Sequence, residues 1–165
     1  MNSFSSSVAV DGFLAFRPGF KGYDASEIEK IERLYRINVD GQLKQFLLEM
    51  GRSDGGAIGD SEIQLYRPSW RVRGHLLFQV DFFSEMQQGG FYEHLKKPFV
   101  FAWISETQYY FVQTAAEDIN AVYHFDSNAP AVQRTEWDLA GFIGRLFAVR
   151  DMDMSVVAEG DILLI

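Results

Sequence analysis

The sequence predicts an α+β fold, in which one antiparallel β-sheet packs against N-terminal helices and a C-terminal helix within a single domain. Three observations carry this prediction: two amphipathic helical patterns come first, three aromatic and β-branched runs follow, and another helical pattern comes after them. This order favours α+β over a doubly wound sheet, and the short connections between the runs favour antiparallel strands. A length of 165 residues with 47% apolar content fits one domain with a sizeable core.

Residues 1–23 are predicted to form a strand or an extended arm, because large apolar residues surround the Pro18–Gly19 pair. The first helix is predicted over 25–36, where Asp24 and Glu27 have the spacing of a capping box. The second is predicted over 41–50, with Asp40 as its N-cap and Gly51 as a left-handed C-cap. Their apolar stripes contain Ile28, Ile31, Leu34 and Tyr35 in the first helix, and Leu43, Phe46, Leu47 and Met50 in the second.

The middle of the chain is predicted to contain a glycine-rich loop, a short strand and a helix. The loop, 52–60, holds three glycines but lacks the Gly-Lys-Ser/Thr ending of a phosphate-binding loop, so a structural turn is expected. A strand is predicted at 62–66, and 75–88 is interpreted as a short strand running into a helix. Between them, three arginines surround Trp70 in Arg67–Arg73. This segment is either a contact patch or a solvated connection whose arginines pair with nearby carboxylates.

The clearest sheet is predicted from the runs Phe99–Ile104, Tyr109–Gln113 and Ala121–Phe125. Thr135 is predicted to cap the last helix, whose apolar residues follow the i, i+3, i+4 spacing of a buried face. Residues 151–165 contain Asp and Glu but no Lys or Arg, so they are predicted to form an acidic tail. The apolar residues of this tail make it a candidate for an additional edge strand.

Two parts of the sequence resemble the SUKH superfamily of Smi/Knr-like domains. The first is the run EIEKIERLYRINV, followed by Leu43, Phe46 and Leu47 and then by Gly51 and the Gly55–Gly56 pair; the second is the closing run WDLAGFIGRLF. The resemblance covers residues 24–150, which are therefore the expected SUKH-like core. It implies an α+β domain used for protein recognition. In bacteria such a domain is most often an immunity protein that neutralises a secreted toxin, often a nuclease.

The net charge of −8 argues against nucleic acid as the main ligand, because neutralising phosphates requires a basic face. A positively charged protein partner is the better electrostatic match, and charge for solubility alone is the alternative. The absence of cysteine suits a reducing compartment. The N-terminus lacks a signal-peptide pattern, and no apolar run is long enough to span a bilayer. We therefore expect a cytoplasmic protein without membrane association.

No motif in the sequence predicts an enzyme. His75, His94 and His124 lack the spacing of metal ligands, and no serine lies in a Gly-x-Ser-x-Gly elbow. We therefore predict no metal site, no cofactor and no catalytic residue. The leading hypothesis is a non-enzymatic immunity protein that binds a basic cognate toxin. A regulatory or scaffolding module of the same fold, and an enzyme without a local motif, remain as alternatives.

The candidate partner-binding residues combine acidic side chains near the glycine-rich loop with aromatic anchors. Acidic side chains would steer and pair with a basic partner, and an aromatic side chain would supply the buried centre of the contact. The candidates are Glu49, Asp54, Asp60, Glu62, Trp70 and Tyr92.

Overall fold

A computed structural model describes residues 19–149 and 157–165 of the chain. The longer strands form one antiparallel sheet in the order β3-β4-β5-β6, and β1 pairs with β2 in a separate two-stranded ladder. The elements in chain order are β1 (Phe20–Lys21), α1 (Ala25–Tyr35), α2 (Gly41–Met50), β2 (Ser53–Asp54), a 3-10 turn (Gln64–Tyr66), α3 (Val72–Gln88), a second 3-10 turn (Tyr92–His94), β3 (Pro98–Ile104), β4 (Gln108–Gln113), β5 (Ala121–Asp126), β6 (Ala131–Asp138) and α4 (Leu139–Val149).

The four-stranded sheet lies between two helical layers. Helices α1, α2 and α4 bury their apolar faces against one side of the sheet, and α3 covers the other side. Because alternate strand residues point to opposite faces, neighbouring residues of one strand belong to different cores: Phe99 to the first and Val100 to the second. The predicted α+β fold with an antiparallel sheet is confirmed. A helix was predicted within 75–88, but its position on the second face of the sheet was not.

The outer edge of β3 is closed by side chains and by loop backbone. The Gln79 side chain donates from Nε2 to the Val100 carbonyl oxygen at 2.8 Å and accepts the Val100 N–H through Oε1 at 3.0 Å. Gln64 Nε2 donates to the same carbonyl at 2.8 Å, and the Trp103 N–H donates to the Glu62 carbonyl at 2.9 Å. Strand β6, at the opposite edge, pairs with β5 through a register shift.

The two N-terminal helices follow their local sequence signals closely. The Glu27 N–H donates to Asp24 Oδ1 at 2.9 Å and the Asp24 N–H donates to Glu27 Oε2 at 2.8 Å, which confirms the capping box of α1. Asp40 caps α2 as predicted. Gly51 ends α2, but with φ of −64° it is right-handed, so the left-handed prediction is wrong. Glycine is needed there for packing, since a Cβ would lie 2.8 Å from the Tyr23 ring.

Two predictions for the middle of the chain are wrong. The expected strand at 62–66 is a loop with a 3-10 turn at Gln64–Tyr66. The expected strand at the start of 75–88 belongs to helix α3, which begins at Val72. Helix α3 buries Phe78 and Phe82 but leaves Leu77 and Val80 exposed. Apolar residues on both sides of the helix obscured its period in the sequence.

The boundary between the sheet and the last helix also differs from the prediction. Thr135 lies in strand β6 rather than at a helix cap, and its hydroxyl donates to the Val122 carbonyl at 2.7 Å. Helix α4 begins at Leu139, and Asp138 Oδ1 accepts the Gly141 N–H at 2.8 Å in the manner of an N-cap. Strand β6 was not predicted, because as an edge strand it is mostly exposed and carries polar residues.

Residues 157–165 form no strand but are fixed to the body by hydrogen bonds. The Ser53 hydroxyl donates to the Ala158 carbonyl at 2.8 Å, and the Tyr35 hydroxyl donates to the Ile162 carbonyl at 2.7 Å. Gly160 passes so close to the 3-10 turn that a Cβ would lie 2.0 Å from the Leu65 carbonyl oxygen. The predicted edge strand is therefore wrong for 157–165. Residues 1–18 of the arm, residue 150 and residues 151–156 of the tail lie outside the described residues.

Candidate partner-binding surface

Asp54 organises the glycine-rich loop from the inside. Its Oδ1 accepts the N–H groups of Gly56 and Ala57 at 2.9 and 3.1 Å, and its Oδ2 accepts those of Ile58 and Gly59 at 2.8 and 2.9 Å. The residue is 0% exposed. This finding corrects the prediction of Asp54 as a contact residue, because a buried carboxylate with these hydrogen bonds shapes the loop and cannot touch a partner.

The backbone of the loop requires glycine at the positions where it turns. Gly55, Gly56 and Gly59 have φ values of 68°, 91° and 94°, in the left-handed region that side chains disfavour. Gly55 also packs against Gly19, whose Cα would lie 3.1 Å from an added Cβ. Backbone conformation and the Asp54 carboxylate therefore hold the loop in one shape.

Of the acidic candidates, Asp60 and Glu62 come together where this loop ends. Asp60 is exposed and Glu62 is half-buried, and Ser61 Oγ donates to Glu62 Oε2 at 2.7 Å. Glu49 is half-buried in the last turn of α2. The Glu62 carbonyl is tied to β3 through Trp103, so the acidic end of the loop is anchored to the sheet.

Trp70 lies in an aromatic cluster with Trp103, the residue whose N–H donates to the Glu62 carbonyl. The Arg67 guanidinium lies 4.9 Å from the Trp70 ring centre and 5.0 Å from that of Trp103, and Trp70 contacts Phe78 at 5.4 Å between centroids. The Trp70 side chain is half-buried and held in place, as an interface anchor would be.

The arginines around Trp70 do not pair with carboxylates in the described part of the chain. Arg67 stacks on the two tryptophans, and Arg71 donates to the Ile165 carbonyl at 2.6 Å. No ion pair involves Arg67, Arg71 or Arg73 among residues 19–149 and 157–165. The interpretation of this segment as a connection neutralised by carboxylates therefore does not describe its contacts.

Tyr92 stands apart from the other candidates. It is 65% exposed in the 3-10 turn that follows α3, whereas Trp70 precedes that helix. A helix of 17 residues is about 25 Å long. Trp70 and Tyr92 thus lie at opposite ends of α3 and do not form one compact anchor.

His75 and His124 both pack against aromatic rings, of Trp70 and Tyr110 respectively. His75 is 1% exposed, burial lowers its pKa to about 4, and neither ring nitrogen has a hydrogen-bond partner in the described ranges. Burial also lowers the pKa of His124, which contacts Gln108 and stacks on Tyr110. Within residues 19–149 and 157–165, no group of three or more His, Cys, Asp or Glu side chains is arranged to hold a metal ion.

The cluster around Arg52 was not predicted from the sequence. Its guanidinium donates to both Glu27 oxygens at 2.7 and 3.0 Å, reaches Asp161 at 3.4 Å and lies 4.1 Å from the Tyr23 ring centre. The ion pair with Arg52 lowers the Glu27 pKa to about 2. The sequence pattern indicated only the capping role of Glu27, because its ion-pair partner Arg52 lies 25 residues away along the chain.

Comparisons of the chain with protein-family models, with curated proteins and with solved structures found no match in any of the three. Among the described residues, none of the helices combines the length and apolar content needed to cross a membrane. The fold and the surface together define an α+β domain with a rigid acidic loop and an aromatic cluster.

Proposed function

We propose that this protein is a non-enzymatic protein-binding module of the SUKH type, a cytoplasmic immunity protein that binds and neutralises a basic cognate toxin. The observation that carries the proposal is the rigid loop around Asp54, which presents Asp60 and Glu62 on the surface. Because the loop is already ordered, binding through it loses little conformational entropy.

Charge supports the choice of partner. The chain carries a net charge of −8, whereas a toxin active site that binds phosphate is basic. The opposite charges would accelerate association and form ion pairs at the contact. Trp70, held by Arg67 and Phe78, supplies an aromatic anchor. An immunity protein needs only to occlude the toxin, so this surface is sufficient for the role.

Co-expression with a toxin candidate encoded by the adjacent gene tests the proposal. We expect rescue of growth and a stable complex that co-purifies. The double variant Asp60→Lys/Glu62→Lys should slow association about tenfold or more at low salt, because it reverses the charge that steers encounter.

The double variant Glu106→Lys/Glu117→Lys is the matched control, since it makes the same change of four charge units at two exposed residues elsewhere. It should change the association rate much less than the loop variant. Absence of both rescue and complex would refute the immunity role. A complex that forms equally well with the loop variant would refute the assignment of this surface.

A further inference from the structure

A second concave surface lies between α1 and residues 157–165, away from any candidate predicted from the sequence. It is an open groove of about 860 Å³. Its apolar lining comes from Leu34 of α1, Val72 of α3, and Leu163, Leu164 and Ile165 of the C-terminal segment. Apolar concavities with a few charged groups are the usual form of binding sites.

The apolar lining is accessible to solvent. Leu34 is 39% exposed and Leu164 is 45% exposed, while Val72 and Leu163 are half-buried. Single exposed leucines are common on protein surfaces, but here five aliphatic side chains converge on one groove. An apolar ligand in the groove would remove them from water together.

The groove also offers two cations without carboxylate partners in ion-pair range among the described residues. They are Lys30 and Arg33, which lie three residues apart and so one turn from each other on α1. The Arg33 Nε donates to the Glu29 carbonyl at 3.3 Å. The two carboxylates that line the groove, Glu27 and Asp161, are both ion-paired with Arg52. Lys30 and Arg33 therefore remain available to an anionic group.

The walls of the groove are preformed. The Val72 N–H donates to the Leu164 carbonyl at 2.7 Å, which joins the C-terminal segment to α3, and the Tyr35 hydroxyl joins Ile162 to α1. The Ile162 N–H donates to the Tyr23 hydroxyl at 3.0 Å. A ligand would meet an ordered site and would not have to fix the chain.

We propose that this groove binds an acidic, leucine-rich peptide segment of a partner protein. Apolar side chains of the peptide contact Leu34, Val72 and Leu164, and a carboxylate pairs with Arg33 and Lys30. A bidentate arginine–carboxylate pair gives the contact its charge specificity. The open shape suits a continuous peptide chain, whereas an enclosed cavity would suit a small molecule. This site differs from the acidic loop in both position and preferred charge, so it does not depend on the immunity role.

The test uses two panels of fluorescent hexapeptides with the same four apolar positions. One panel carries aspartate or glutamate at the two remaining positions, and the other carries asparagine or glutamine. We expect acidic peptides to bind at least about tenfold more tightly in anisotropy titrations, and to weaken as salt is raised. Equal affinity of both panels, or binding of neither, would overturn the proposal.

Matched variants locate the site. Arg33→Glu should weaken the acidic panel about tenfold, whereas Lys44→Glu, the same kind of charge reversal on α2, should have little effect. Leu34→Ser should weaken both panels, whereas Leu48→Ser, at 37% exposure against 39% for Leu34, should weaken neither. Circular dichroism melts confirm that each variant is folded.

Two further outcomes are decisive. If decanoate binds but no peptide does, the groove takes a fatty acid and the peptide proposal is wrong. If the Arg33 and Lys44 variants lose affinity equally, the binding is non-specific and the site is wrong. The Asp60→Lys/Glu62→Lys variant should keep its peptide affinity, which separates this test from that of the proposed function.

Discussion

Replacing Asp54 with asparagine distinguishes a carboxylate that shapes the loop from one that contacts a partner. Asparagine keeps the size of the side chain but exchanges one acceptor oxygen for an NH₂ group. Either orientation of the amide turns two of the four hydrogen bonds into contacts between donors. Hydrogen bonds to charged groups contribute about 1.5–3 kcal/mol each, so the variant should lose about 3–5 kcal/mol of unfolding free energy. Domains are typically stable by only about 5–15 kcal/mol, so this loss is large.

Urea unfolding followed by tryptophan fluorescence measures the effect. We expect the midpoint for Asp54→Asn to fall at an unchanged denaturant slope. Asp60→Asn is the matched control, since Asp60 is exposed in the same loop and its replacement should change stability by less than about 0.5 kcal/mol. Equal midpoints for Asp54→Asn and the unchanged protein would refute the role of the carboxylate in the loop.

Three other substitutions give distinct signatures. Gly160→Ala would place a Cβ 2.0 Å from the Leu65 carbonyl oxygen and should lower the free energy of unfolding in urea by about 3 kcal/mol or more. Gly74→Ala, where the nearest atom to the Cβ in α3 is 3.5 Å away, should raise it by about 0.5–1 kcal/mol. Equal effects of the two substitutions would contradict the packing argument. The pKa of His75 falls from 6.5 to about 4 on folding, so stability should decline as pH falls from about 6.5 to 4, and His75→Phe should reduce that loss by about 2–3 kcal/mol. The pKa of Glu27 falls from 4.5 to about 2 on folding, so the free energy of unfolding should decline further below pH 4.5. Glu27→Gln should abolish about 1–2 kcal/mol of that decline, a magnitude that allows for solvent screening. Urea titrations at pH 7, 4 and 2 separate the contributions of His75 and Glu27. A variant whose stability changes with pH in the same way as that of the unchanged protein would contradict the role assigned to the replaced residue.

The elements that the sequence predicted well are those fixed by near neighbours. The capping box of α1 lies within four residues, from Asp24 to Glu27, and the apolar stripes of α1 and α2 face one core, except that Leu34 of α1 is exposed. The strands β3, β4 and β5 were recognisable because aromatic and β-branched residues fill them. The start of helix α3 was predicted as a strand, because the helix has apolar residues on two sides. Strand β6 was not predicted, because it has few apolar residues.

The candidate surface was harder to predict because burial is decided by distant parts of the chain. An aspartate among glycines resembles a solvated loop residue, and only the folded backbone shows that four N–H groups converge on Asp54. The groove beside α1 depends on contacts such as that between Tyr35 and Ile162, which are 127 residues apart. No local spacing rule reports such a contact.

The hydrogen bonds of Gln79 with Val100 have a consequence for how copies of this protein meet. The primary amide reproduces the donor and acceptor of a peptide group, so it occupies the place that a foreign strand would take beside β3. Sheet extension is then limited to the β6 side, where polar residues and an irregular ladder offer a poor template. A concentrated solution of the protein should therefore resist fibrous, edge-to-edge growth despite its 15% aromatic content.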